Sequence, residues 1–280
     1  MDIEDFEVMK GYCRLCDDGF RMGWHERNGG NFTYRMKHEE VDECRPFFYQ
    51  KPREWTPFGV TVKNLAGEYF ISTGSGKFMR NMIINMEENI CIAEINDRGD
   101  AYRVVWGLLN GGVPTSEFPS HLLNHSVKKI TTNNSYRIIY HAHTPNVIAL
   151  TYILPLTDHD FSRVLWKSMT ECPIVFPAGI GVVPWMIPGG TEIAIASSKL
   201  MKEYDAIIWA HHGIFCSGPD FDSTFGLMHT IEKSAEIYIK AFSCGGGIRQ
   251  SISDNELRKV SKAFGVSLNE KFLKERSHES

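Results

Sequence analysis

Short apolar runs closed by glycine, proline or asparagine recur along this 280-residue chain between segments of helical spacing, and that irregular alternation points to a mixed fold with a substantial sheet. Tyr69 to Thr73 reads as a strand entering a glycine turn, and Ala101 to Leu109 as another, cut off by Asn110, Gly111, Gly112 and Pro114. Beyond that break Ser116 caps a helix over Glu117 to Lys129, with Leu122, Leu123 and Val127 on one face. A strand from Arg137 to His143 runs into a second helix, entered through Thr144 and Pro145 and carrying Val147, Ile148, Leu150 and Ile153. Ala206 to His212 is a short apolar strand ended by Gly213, and Phe225 to Phe242 has helical spacing. No internal repeat or Gly/Ser-rich linker divides the chain, so residues 1–280 read as one domain with an N-terminal helical region. The least regular stretch, Lys37 to Gly67, reads as an elaboration on it.

A chain that is 42% hydrophobic can bury a sizeable core, and a net charge of -4 gives no electrostatic reason to expect nucleic acid or an anionic membrane as partner. Any phosphate site must therefore be built locally. The seven cysteines are odd in number and scattered, which fits a reducing cytoplasm. Cys13 and Cys16 form a CxxC with no second pair to complete a zinc ribbon, and they read as two residues of the N-terminal helix. The start of the chain, MDIEDFEVMK, is acidic and has no apolar core like that of a secretory leader. No run approaches the ~20 apolar residues needed to span a bilayer.

The sharpest local feature is His141-Ala142-His143 at a strand end. Residues two apart on a strand project from one face about 6.6–6.8 Å apart, so their imidazoles can reach one zinc ion. A third neutral donor would leave a position open for water or substrate, and His211 or His212 is its supplier. Strand parity favours His212, which falls with the smaller Ala206, Ile208 and Ala210. Read by itself, the same pair is equally a hydrogen-bonded couple at a strand end. Two glycine-containing segments, Asn28-Gly29-Gly30-Asn31 and Thr73-Gly74-Ser75-Gly76-Lys77, can turn backbone N–H groups toward an anion, although each is more often an ordinary turn. Thr115 and Ser116 add hydroxyls at a helix N-terminus. Glu117 suits a first helical turn, and beside a metal it becomes a proton-transfer group. Glu171 has no distinctive local context and reads as a surface residue.

Taken in order, ERNGGN (26–31), TGSGKFMRN (73–81), VPTSEFPSH (113–121), HAHTPNVIALTY (141–152), MTECPIVFP (169–177), VVPWMIPG (182–189), HHGIFCSGP (211–219) and TFGLMHTIEKSAE (224–236) resemble the class II aldolase/adducin-like family through nearly the whole chain. The resemblance implies an α/β fold, a three-layer α/β/α sandwich around a mainly antiparallel sheet. It implies His141, His143 and His212 as ligands of one Zn2+ per subunit. It further implies that Asn28, Asn31, Ser75, Thr115 and Ser116, with backbone of Gly30 and Gly76, hold a substrate phosphate. Glu117 would move the proton at C3, and Glu171 would reach the site of a neighbouring subunit in a cyclic homotetramer with active sites at its interfaces.

The implied activity is zinc-dependent retro-aldol cleavage of a sugar phosphate. The Lys37 to Gly67 region and the MTEC segment favour the branch acting on L-rhamnulose 1-phosphate. L-Fuculose-phosphate aldolases and 4-epimerases share the metal and glycine motifs in typically shorter chains. Adducin-like assembly proteins keep the fold without the aldolase site, so the three histidines and Glu117 argue against a non-enzymatic role.

Overall fold

Residues 2–273 are described in the computed structural model, and among them nine strands form one sheet. These are β1 (Asn31–Arg35), β2 (Thr56–Pro57), β3 (Tyr69–Thr73), β4 (Ile90–Ile95), β5 (Ala101–Gly107), β6 (Ile138–Ala142), β7 (Gly181–Val183), β8 (Ala206–Trp209) and β9 (Gly213–Gly218). Their order across the sheet is β2-β5-β4-β3-β1-β6-β9-β8-β7. Every neighbouring pair is antiparallel except β7 with β8. The helices are α1 (Glu7–Arg21), α2 (His38–Cys44), α3 (Met86–Asn89), α4 (Phe118–Thr131), α5 (Pro145–Leu150), α6 (Asp158–Ser168), α7 (Cys172–Val175), α8 (Thr191–Leu200), α9 (Phe221–Ser243) and α10 (Asp254–Phe264).

Strand residues alternate between the two sheet faces, and both faces are apolar. Phe32, Ile71, Tyr140 and Ile214 join one core cluster with Tyr12 of α1, Leu165 of α6 and Met228 of α9. On the opposite face Phe70 and Val104 meet Phe118 and Leu122 of α4, while Ile207 and Phe215 meet Ile193 of α8. Helices therefore cover both faces, and the three-layer arrangement follows from two buried faces of one sheet.

Sequence boundaries hold for β3 and shift elsewhere. β5 ends at Gly107 rather than Leu109, because Gly107 and Leu108 both take positive φ and turn the chain away from the ladder. A side chain at Gly107 would meet the Ile90 carbonyl oxygen at 2.2 Å. α4 begins at Phe118, so Glu117 and not Ser116 is its N-cap residue. β8 ends at Trp209, three residues before His212. The 37–67 elaboration contains α2 and the edge strand β2, which pairs with β5.

One end of the sheet gathers the chemistry. Asn31, at the start of β1, lies opposite His141, near the end of β6, and His141 lies opposite Phe215 of β9. The end of β3 and the turn between β8 and β9 close the same end.

Candidate active site and metal centre

His141 is fully buried, with its ring stacked on Phe215 at 4.2 Å between centroids. Its Nδ1 faces the Ile214 carbonyl oxygen at 3.0 Å, so the neutral ring donates there and keeps a bare lone pair on Nε2. That buried Nε2 has no hydrogen-bond partner. His143, just beyond β6, is fixed in the same way, its Nδ1 lying 2.6 Å from Oε1 of Glu26. The third ring, His212, arrives from the β8–β9 turn, with its centroid 4.9 Å from each of the other two. One ligand atom from each of the three lies within 4.8 Å of the others.

Burial, with neighbouring His212 and His143, holds the His141 imidazole well below its usual range, and burial pushes His212 down to about 4. Converging imidazoles, two of them with far nitrogens tied to a carbonyl and a carboxylate, fit a metal-ligand set. His211 points elsewhere. It takes φ +61°, its backbone N–H donates to the Thr151 hydroxyl at 3.1 Å, and its ring stands 4.4 Å from that of Tyr152. His212 thus joins the cluster and His211 does not, but strand parity cannot be the reason, since both histidines lie outside the strand.

Glu117 closes the site from the helical side. Its Oε2 accepts from Asn31 Nδ2 at 2.7 Å and stands 3.7 Å from His141 Nε2. Burial pushes the carboxyl up, opposed by the Asn31 hydrogen bond. The glycine turn after β3 and the segment leading into α4 meet beside it: Thr115 N–H donates to the Thr73 carbonyl at 2.9 Å and Ser75 N–H to that of Val113 at 2.8 Å. Gly30 takes φ +74°, and a Cβ there would lie 2.4 Å from the ring of His25 and 2.8 Å from the His141 carbonyl. Only glycine lets this loop lie so close to the ligand strand. His25 secures it, contacting the Gly29 carbonyl at 3.1 Å and the Tyr140 hydroxyl at 2.7 Å.

The result is a cavity of about 200 Å³. Asn28, Gly30, Asn31, Ser75, Gly76, Thr115, Ser116, Glu117, His141, His143 and His212 all line it. Every site residue expected from the sequence is there except Glu171. That residue is exposed at the N-cap of α7 and is not part of the cavity lining. Asn31 lines the cavity with its amide already engaged by Glu117 and His121, which leaves one Nδ2 hydrogen for a ligand.

Two contributors escaped the sequence reading. Glu26 orients His143, although it stands inside the ERNGGN segment. His121, which holds Asn31, signals itself only as part of a polar set, with Asn124, His125 and Lys128, on the buried face of α4.

Residues 10–239 match the family described as Class II Aldolase and Adducin N-terminal domain. The chain is 43% identical to the rhamnulose-1-phosphate aldolase of Mannheimia succiniciproducens and 42% identical to that of Escherichia coli K12, in each case over 92% of this chain and 94% of the relative. Among solved structures, a sugar-phosphate aldolase from Thermotoga maritima superposes with a TM-score of 0.70 at 25% identity, over 86% of this chain and 97% of that one. The L-fuculose-1-phosphate aldolase of Thermus thermophilus gives 0.57 at 20% identity, over 86% and 98%.

Proposed function

The chain belongs to the class II aldolase and adducin N-terminal domain family, and from that premise we propose that it cleaves L-rhamnulose 1-phosphate to dihydroxyacetone phosphate and L-lactaldehyde, as a step of L-rhamnose breakdown. The observation that carries the reading is the convergence of three imidazoles and a buried carboxylate on one cavity walled by amides, hydroxyls and glycine backbone. The similarity over nearly the full length of two rhamnulose-1-phosphate aldolases supports the choice of sugar. An assembly role without chemistry leaves the three converging histidines and the buried Glu117 unexplained.

Three imidazole donors with room for a fourth ligand suit zinc, one ion per chain, held by His141, His143 and His212. Zinc bound there would supply the Lewis acid that takes up negative charge at the substrate carbonyl as the C3–C4 bond breaks. The chain's own residues do the rest. Asn28, Ser75, Thr115 and Ser116, with the backbone of Gly30 and Gly76 and the remaining amide hydrogen of Asn31, hold the phosphate and fix the sugar in register. Glu117 delivers a proton to C3 once lactaldehyde has left, and takes it back in the condensation direction.

The proton of the C4 hydroxyl needs a second group, acting as base or polarising the hydroxyl through water. We assign it to Glu171 of a neighbouring subunit, because Glu171 stands exposed and outside its own chain's cavity. Exposed Trp185, Ile187, Tyr152 and Val175 support burial against further copies, which we read as a cyclic homotetramer with interfacial sites. No helix among the described residues is long and apolar enough to cross a membrane, and all seven cysteines are free, which supports a cytoplasmic setting.

Paired variants test the ligand assignment. His212→Ala should lose zinc and cleavage together, whereas His211→Ala should keep the metal. Full zinc occupancy in His212→Ala, measured by elemental analysis, would contradict the assignment.

A further inference from the structure

We propose that Thr33 and His121 are positioning residues for proton transfer: acting through Asn31, they fix the orientation of the Glu117 carboxylate. The inference rests on the reading of Glu117 as the proton-transfer group. It concerns residues that do not line the substrate cavity.

Five side chains stand in series between the cavity and the interior, where β1 lies under α4. Asn31 Nδ2 donates to Glu117 Oε2 at 2.7 Å, and Asn31 Oδ1 contacts His121 Nε2. On its other side His121 Nδ1 is 2.7 Å from the Thr33 hydroxyl oxygen, which is also 2.8 Å from His125 Nε2. Thr33 and His121 are completely buried.

When Glu117 is ionised, the state in which it takes up a proton, the chemistry of the groups allows one assignment of hydrogens. An ionised carboxylate oxygen only accepts, so Asn31 must turn its NH2 to Glu117 and its carbonyl oxygen to His121. That oxygen also only accepts, so His121 carries its hydrogen on Nε2. Burial holds His121 down to about 3, so its Nδ1 is a bare acceptor and receives the Thr33 hydroxyl hydrogen. The Thr33 oxygen is then free to accept from Nε2–H of His125. The remaining nitrogen, His125 Nδ1, is a lone pair, and it is the one polar atom of this series that is buried without a partner.

Every hydrogen in the series then points toward the ionised Glu117. A flipped Asn31 amide would set oxygen against the Glu117 carboxylate and NH2 against the Nε2–H of His121, so the series holds one amide orientation and one carboxylate oxygen. The other oxygen of Glu117 is left to exchange a proton with substrate. Apolar side chains of the same shape would pack α4 on β1 about as well, since buried hydrogen bonds largely offset the cost of desolvating their own groups. What such packing could not do is orient Asn31.

Thr33→Val keeps the shape and removes the hydroxyl; Thr33→Ser restores it. Two rates are compared: steady-state cleavage of L-rhamnulose 1-phosphate, and exchange of hydrogen on the hydroxymethyl carbon of dihydroxyacetone phosphate with deuterated water, followed by NMR. The exchange reads the proton-transfer half of the reaction alone. Thr33→Val should lose about tenfold in exchange and in kcat, the loss expected for one net hydrogen bond, with KM and zinc content unchanged, and Thr33→Ser should recover both rates. His121→Phe should behave as Thr33→Val does, and it carries the test if the valine variant does not fold. Exchange at the wild-type rate, a loss that accompanies loss of zinc, or no recovery in Thr33→Ser would overturn the positioning role. A wild-type protein that neither cleaves nor exchanges would overturn the functional reading beneath it, and the two failures are distinguished by the wild-type measurement.

Discussion

Glu117 stands where two demands meet: burial favours its protonated form, while Asn31 and the nearby His143 favour its ionised one. Burial prevails and holds the carboxyl above its usual range, which suits a group that must both give and take a proton. Glu117→Gln preserves its size and removes the exchangeable proton. On the proposed assignment of the three histidines as ligands it should bind zinc normally, and it should lose a factor on the order of 10² to 10⁴ in cleavage. Normal zinc content with a normal cleavage rate would remove Glu117 from the chemistry. At this scale the sequence was informative where spacing is itself geometry. The pairing of His141 with His143, read as two positions on one strand although β6 ends at Ala142 between them, and the hydroxyls and carboxylate of 115–117 at a helix start, were legible. His212 was chosen on strand parity that the turn after Trp209 does not obey. His121 and Glu26 were missed because their meaning depends on partners 90 and 117 residues away, which no local pattern displays.

Elements were easier to read than their ends. The stretch from Tyr69 to Thr73 is a strand as expected, since its apolar run stops at a glycine turn. Where a boundary shifted, a particular backbone feature moved it: positive φ at Gly107 and Leu108 ended β5 early, and Glu117 rather than Ser116 became the N-cap of α4. The entry to α5 shows a longer-range substitution. Thr144 occupies the N-cap position as the Thr-Pro pair suggests, yet its side chain makes no capping hydrogen bond. Glu232 of α9 does that work, accepting from the backbone N–H groups of Asn146 and Val147 at 3.0 Å each. A carboxylate at a helix N-terminus satisfies the same orphan donors wherever in the chain it originates. α5 also stops at Leu150, before the Ile153 that helical spacing included.

On the scale of the whole molecule, the fold brings five distant segments to one end of the sheet, and the family resemblance foretold the mainly antiparallel sheet that composition could not. The assembly is the remaining step, and Glu171 decides it. If Glu171 serves an adjacent subunit, a chain with Glu117→Gln still offers a good Glu171, and a chain with Glu171→Ala still offers a good Glu117 and zinc site. Random mixing of the two in a closed ring gives the productive arrangement at roughly a quarter of interfaces. Co-expressed mixtures should then regain activity that neither parent has; verified mixed oligomers as inactive as the parents would confine Glu171 to its own chain or remove it from catalysis. The most direct test of the account remains the reaction itself. Purified, zinc-loaded protein is offered ketose 1-phosphates, including those of L-rhamnulose and L-fuculose, and dihydroxyacetone phosphate is measured by a coupled enzymatic assay. Its release should be most rapid from L-rhamnulose 1-phosphate, with L-lactaldehyde in equal amount. Faster release from L-fuculose 1-phosphate, or none from any of the sugars, would contradict it.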